Sequence, residues 1–258
     1  MHDRATVAKA LRLRGRGGTW GSSGRPPSRD PRGHRARLAC WEASRPLPRW
    51  SRTVLSSLHR NEHHFDELGR DYVYLLGVYL GDGNITAHSR GVFKLRIVLD
   101  VKYPGIVNEC ASAMASTLPD SSVGRVRKPS NCFEVYSYSR SWPCLFPQHG
   151  PGKKHQRRIW LAEWQQSLAE RWPEALIRGL IQSDGCRFIN TGRGGWRHPR
   201  YLFSKVSSDI TSIFCTACDC LGLRWTAALP SNESKAISIY VSRKDDVARM
   251  DEFVGPKA

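Results

Sequence analysis

Two Asp-Gly pairs, at Asp82 and Asp184, end two stretches that share one frame. Residues 74–84 read YLLGVYLGDGN and residues 176–188 read LIRGLIQSDGCRF, so the pattern apolar-x-Gly-apolar-apolar-x-small-Asp-Gly occurs twice, with the acids 102 residues apart. A single Asp-Gly is a common helix stop and turn, and by itself carries no chemistry. Two copies with matched small residues are hard to ascribe to coincidence. Carboxylates brought together from two such segments make an oxygen-rich site suited to a hard divalent cation such as Mg²⁺, with Gly81 and Ser183 immediately before them adding to the donor set. Facing a phosphodiester, such a site can activate water and stabilise the leaving oxygen.

The elements that must position these acids are helices. Leu75, Leu76, Val78, Tyr79 and Leu80 make the first segment apolar nearly all round, which means burial on more than one face. Gly77 and Gly81 stand four apart on one side, and Gly179 and Ser183 repeat the spacing. Small residues so placed let two helix backbones approach more closely than the usual ~8–10 Å, so the two helices are expected to pack on each other, with Gly83 and Gly185 as left-handed stops. An Asp at a helix C-terminus adds to charge that is already negative there. Something positive must compensate, and a shared metal would also relieve the repulsion between the acids.

With an acid at the eighth position of each, LLGVYLGDG and IRGLIQSDG resemble the two motifs of a single-chain LAGLIDADG homing endonuclease, and the resemblance covers about residues 65–254. It implies an α+β fold of two tandem αββαββα units about a pseudo-twofold axis, the two sheets forming a saddle in the DNA major groove. It also implies double-strand cleavage by the motif acids with Mg²⁺, for which Mn²⁺ is expected to substitute. Family members often carry a lysine after the first sheet, close to the metal-bound water. Lys154 or its neighbour Lys153 resembles that residue, to polarise the attacking water or stabilise developing charge. Generic phosphate binding by KKHQRR would explain the same residues. The sixth motif position, often acidic in the family, is Leu80 and Gln182 here; it is not the metal-binding position.

The rest of the chain accommodates this layout. GVFKLRIVLD alternates, with Phe93, Leu95, Ile97 and Leu99 on one face and Lys94 and Arg96 on the other. A helix over 104–118 and a hairpin turning near 129–131 follow; in the second half come strands in GCRFIN and RYLFSKVSS, a helix over 209–221, strands in LRWTAAL and KAISIYVS, and a helix over 244–253. The basic residues Lys94, Arg96, Arg125, Arg127, Lys128, Arg187, Arg193, Arg197 and Lys205 are candidates for phosphate or base contacts, although a solvated strand face would look the same. The expected organisation is a first unit over 61–150, a basic linker over 151–172 and a second unit over 173–258. Trp160, Trp164, Trp172 and Trp225 read as core.

Composition agrees with a polyanionic partner. The formal net charge is +17, and residues 1–60, with 14 Lys/Arg against 3 Asp/Glu, hold most of it. That segment is Gly-, Pro-, Ser- and Arg-rich without periodicity and reads as disordered, apart from a short helix over 54–59. It suits a phosphate-tracking arm, a transit peptide or a leader of no function. No stretch approaches the ~18 apolar residues of a membrane span. Eight cysteines without a signal peptide read as reduced thiols, and the knuckle-like CTACDC lies in an apolar helix without partner ligands. Arg outnumbers Lys 30 to 10, which points to a GC-rich bacterial source and a cytoplasmic, nucleoid-associated protein. Met-His at one end and no His-Asn at the other suggest a free-standing monomer rather than an intein. The expected activity is site-specific cleavage of double-stranded DNA. A regulator on the same fold, or an RNA-splicing maturase, is the alternative; retention of both acids favours the nuclease.

Overall fold

The computed structural model describes residues 65–192, 195–230, 232, 235–255 and 257. The leader, Cys40, the helix expected at 54–59 and Arg193 lie outside these residues. Helix α1 (Arg70–Asp82) runs straight into β1 (Gly83–Ala87), followed by β2 (Phe93–Asp100), α2 (Pro104–Thr117), β3 (Val123–Lys128), β4 (Cys132–Ser139) and the short α3 (Trp142–Leu145). After a loop and α4 (Glu163–Arg171) the order recurs: α5 (Pro173–Asp184), β5 (Gly185–Thr191), β6 (Arg197–Lys205), α6 (Ser208–Cys220), β7 (Trp225–Ala228), β8 (Ile237–Val241) and α7 (Lys244–Val254). The sheets are antiparallel, ordered β1-β2-β4-β3 and β5-β6-β8-β7. Their registers correspond: Gly83 pairs with Ile97 and Ile97 with Val135, as Gly185 pairs with Phe203 and Phe203 with Ile239.

The core is one continuous apolar cluster between the helices and one face of each sheet. All nine residues from Tyr72 to Leu80 are buried, because α1 is enclosed by α5, α2 and β2. The α1–α5 seam has the close approach that the small residues demand. A Cβ on Gly77 would stand 2.6 Å from the Leu176 carbonyl oxygen and 3.0 Å from Gly179 Cα, so each glycine leaves room for the other helix's backbone. One polar pair crosses the seam, the Tyr74 hydroxyl and the Gln182 amide at 2.6 Å. A buried hydroxyl needs such a partner, which gives Gln182 at the sixth motif position a packing role.

The glycine helix stops and the exposure of Trp160 depart from expectation. Gly83 and Gly185 are not left-handed stops: their backbones are extended (φ −79° and −111°) and each helix passes directly into a strand. Glycine is needed there for space, since a Cβ would lie 2.6 Å from Tyr79 Cα at Gly83 and 2.8 Å from Ile181 Cα at Gly185. The connection over 151–172 contains α4, anchored where the Gln165 amide donates to the Tyr72 hydroxyl at 2.7 Å. Trp160 is 39% exposed, whereas Trp225 is buried and Trp164 and Trp172 pack against the core. Cys215 and Cys218 are buried in α6, and among the described residues no group of three or more His, Cys, Asp or Glu could hold a metal ion. No helix among them is long and apolar enough to cross a membrane.

Candidate active site

The two helices bring their C-terminal ends to one cavity of about 510 Å³, lined by Asp82, Asp184, Lys154, Lys205, His149 and Asn84 among others. Each helix end carries carbonyl oxygens with no partner further along the helix. Lysines supply the compensation. Lys154, in the 3₁₀ turn Lys154–Gln156, donates from Nζ to the carbonyls of Tyr79, Leu80 (3.3 Å) and Gly81 (3.4 Å), and lies over the Tyr79 ring at 4.5 Å. Lys205, at the end of β6, pairs with the Asp184 carboxylate and donates to the Gly81 carbonyl at 3.2 Å. Lys257 donates to the Gly185 carbonyl at 2.5 Å.

Asp82 forms no hydrogen bond or ion pair among the described residues. Asp82 is solvent-exposed where it lines the cavity. Desolvation, then the charge of Asp184, pushes its pKa up to about 6, with the three lysines opposing. Lys154 is pushed down to about 7, by desolvation first and then by Lys205, against the pull of both acids. Desolvation also lowers Lys257. The donor set fits a hard divalent ion: two carboxylates with backbone oxygens beside them. Asp82, Asp184 and the Gly81 carbonyl would hold it. The Ser183 hydroxyl is committed within its helix, to the carbonyls of Gly179 and Leu180 at 3.0 Å, which leaves only its backbone oxygen for that purpose.

Of the two adjacent lysines, Lys154 reaches the helix end; Lys153 is exposed at the cavity edge. Strand parity divides the other basic candidates. Lys94, Arg96 and Lys128 are on the sheet face turned away from the helices, the open face, alternating with Leu95, Ile97 and Leu99 in the core. Arg125 and Arg127 have the opposite parity, pairing with Val135 and Phe133, and Arg125 binds Asn108 of α2. Arg187 pairs with the buried Tyr201, and both reach Asp251 of α7 at 2.6–2.7 Å. Arg197 shares that parity at the far end of β6, and Lys205 ends in the acid cluster. These five do not lie on the open face. Conversely, Arg200 and His198 are on it and were not singled out, although alternation with Tyr201 and Phe203 would have found them. No sequence signal marks Lys257.

The chain matches no protein-family model and no curated protein. Solved structures similar to it include the homing endonuclease I-DmoI in complex with DNA and Mn, at 16% identity and a TM-score of 0.48 over 72% of this chain and 97% of that one. The I-LtrWI LAGLIDADG homing endonuclease bound to target DNA is 10% identical (TM-score 0.47; 72% and 84% covered). The N-terminal LAGLIDADG domain of DUF199/WhiA is 13% identical (TM-score 0.44; 81% and 94% covered).

Proposed function

We propose that this protein is a LAGLIDADG-type, site-specific endonuclease that hydrolyses double-stranded DNA with a divalent metal ion, as a monomer whose two halves supply one acid each. The observation that carries this reading is the convergence of Asp82 and Asp184 from two repeats on one cavity that Lys154 and Lys205 also line, with Asp82 in no direct ion pair among the described residues. When bound, Mg²⁺, or Mn²⁺ in its place, would act there as a Lewis acid on the phosphodiester. The chain's own residues do the remainder. The two carboxylates would bind and orient the ion, with the glycine seam setting the approach of the helices that carry them. With a pKa near 7, Lys154 can hold or release a proton at Nζ at neutral pH, as a group beside a reacting water must. Lys205 holds the Asp184 carboxylate in an ion pair. Lys94, Arg96, Lys128, His198 and Arg200 supply cationic or hydrogen-bonding groups on the open faces for DNA.

The test is selection of cleaved sites from a randomised duplex library with Mg²⁺. Recovered ends that share one motif support the reading. Retention of duplexes without cut ends, under both Mg²⁺ and Mn²⁺, would replace it with a DNA-binding regulator.

A further inference from the structure

The open face of the first sheet contains an acid. Glu134, on β4, is 4% exposed, yet its parity is that of Tyr136 and Tyr138 rather than that of the core residue Val135. Two lysines converge on it. Lys94 lies across the Tyr136 ring, 4.4 Å from its centroid, to reach Glu134 Oε1 at 2.6 Å, and Lys128 of β3 meets Oε2 at 3.2 Å. Hydrogen bonding from Lys94 holds the Glu134 carboxyl below its usual range despite burial.

The fold does not require this carboxylate. Glu134 pairs with Val98, and the corresponding pair in the second sheet is Ser238 with Ser204, a neutral contact of 3.2 Å between hydroxyls. Tyr136 corresponds to Tyr240 and Lys94 to Arg200, whereas Lys128 corresponds to Pro230 beyond β7, so the acid and one of its two lysines belong to the first half alone. A carboxylate on a face that must attract DNA works against affinity, because it cancels positive charge. What it provides is direction. A free lysine is a mobile point charge that follows phosphates, whereas one held by a carboxylate and a ring keeps its remaining N–H groups at fixed places.

We infer that Glu134 is a specificity-determining positioning residue, which holds Lys94 and Lys128 as fixed donors to base-edge acceptors, such as guanine O6 and N7, in the half-site under the first sheet. The inference rests on the DNA-binding reading above and adds to it which half of the target is read through lysines and what keeps them from drifting to phosphates.

The test uses a library of randomised duplexes, together with salt titration of binding to one arbitrary duplex. With Glu134→Gln the freed lysines move to phosphates. Base preference under the first sheet should flatten by about tenfold at one or two positions, and the slope of log affinity against log salt should steepen by about 1 to 2. Glu134→Ser, the residue of the second sheet, should do the same. Lys94→Met should flatten the same positions without steepening the slope, a split that mere loss of structure would not produce, and thermal melts verify folding of each variant. If the wild type enriches a motif that Glu134→Gln and Lys94→Met leave unchanged, this inference falls and the endonuclease reading survives. If the wild type enriches no duplex at all, both fall.

Discussion

Replacing Gly77 with alanine tests whether the seam is as tight as the acids require. In an ordinary helix interior the change is favourable by about 1 kcal/mol, since alanine is the better helix former. Here the added Cβ would meet three backbone atoms of α5, at 2.6 Å from Leu176 O and 3.0 Å from Gly179 Cα and Leu180 N. None is the end of a side chain that can swing aside, so the helices must separate or tilt. Overpacking of this kind costs about 3 kcal/mol at the upper end of its range, leaving a net loss of about 2 kcal/mol. For a folded region of this size that corresponds to a fall in Tm of about 4–8 °C. Gly69→Ala is the control: nothing lies within 4 Å of its Cβ, and the change should stay within about 0.5 kcal/mol. Thermal or urea denaturation of the three proteins reads the effect. Because Asp82 and Asp184 are carried on the ends of these helices, cleavage by Gly77→Ala should fall by about 10²-fold, the usual cost of misplacing reacting groups by a fraction of a bond length or more. A Gly77→Ala protein as stable as the wild type, or more stable, would refute the close-packed seam.

Other outcomes follow from the charges. In metal-free buffer Asp82→Asn should stabilise the fold at pH 7.5. The Asp82 pKa is raised by folding, so its ionisation penalises the native state above about pH 6, and the penalty fades as pH falls toward 3.8. At full strength the difference is worth about 3 kcal/mol; solvent at the cavity mouth reduces it to about 1 kcal/mol. The Tm gain at pH 7.5 should vanish near pH 4, and a gain independent of pH would contradict the assignment. Lys205→Met leaves Asp184 without its partner; melting without metal should fall by about 1–2 kcal/mol and recover on adding Mg²⁺, as binding linkage requires. In salt titrations of duplex binding, Arg96→Ala should lower the slope by about 1, whereas Arg125→Ala, on the helix side, should leave it unchanged.

How far the sequence could be read follows from where burial dictates residue type. The two motif helices are enclosed, so their small residues and acids had to match, and the repeat exposed both the seam and the site. β2 declares its faces for the same reason: Leu95, Ile97 and Leu99 alternate with Lys94 and Arg96 under a helix layer. The edge strand β3 does not. There Arg125 and Arg127 lie on the helix side while Val126 is 40% exposed on the open face, because an edge strand beside α2 has room for long polar side chains. Lys205 continues the buried parity of Tyr201 and Phe203, so its inward direction was available from alternation, but a basic residue on a strand is naturally assigned to the outside. Lys257 reaches the helix end from beyond α7, a contact made in space with no trace in local pattern. The burial of Glu134 on an open face likewise depends on the reach of Lys94 and Lys128 from neighbouring strands.

The central claim is that Asp82 and Asp184, one from each half, act together on bound DNA. Its most direct test compares wild type, Asp82→Asn and Asp184→Asn on a plasmid carrying a selected site, measuring Mg²⁺-dependent cleavage and duplex binding in parallel. The wild type is expected to cut, and each variant to bind DNA as the wild type does but fail to cut. Cleavage at the wild-type rate by either variant would contradict it.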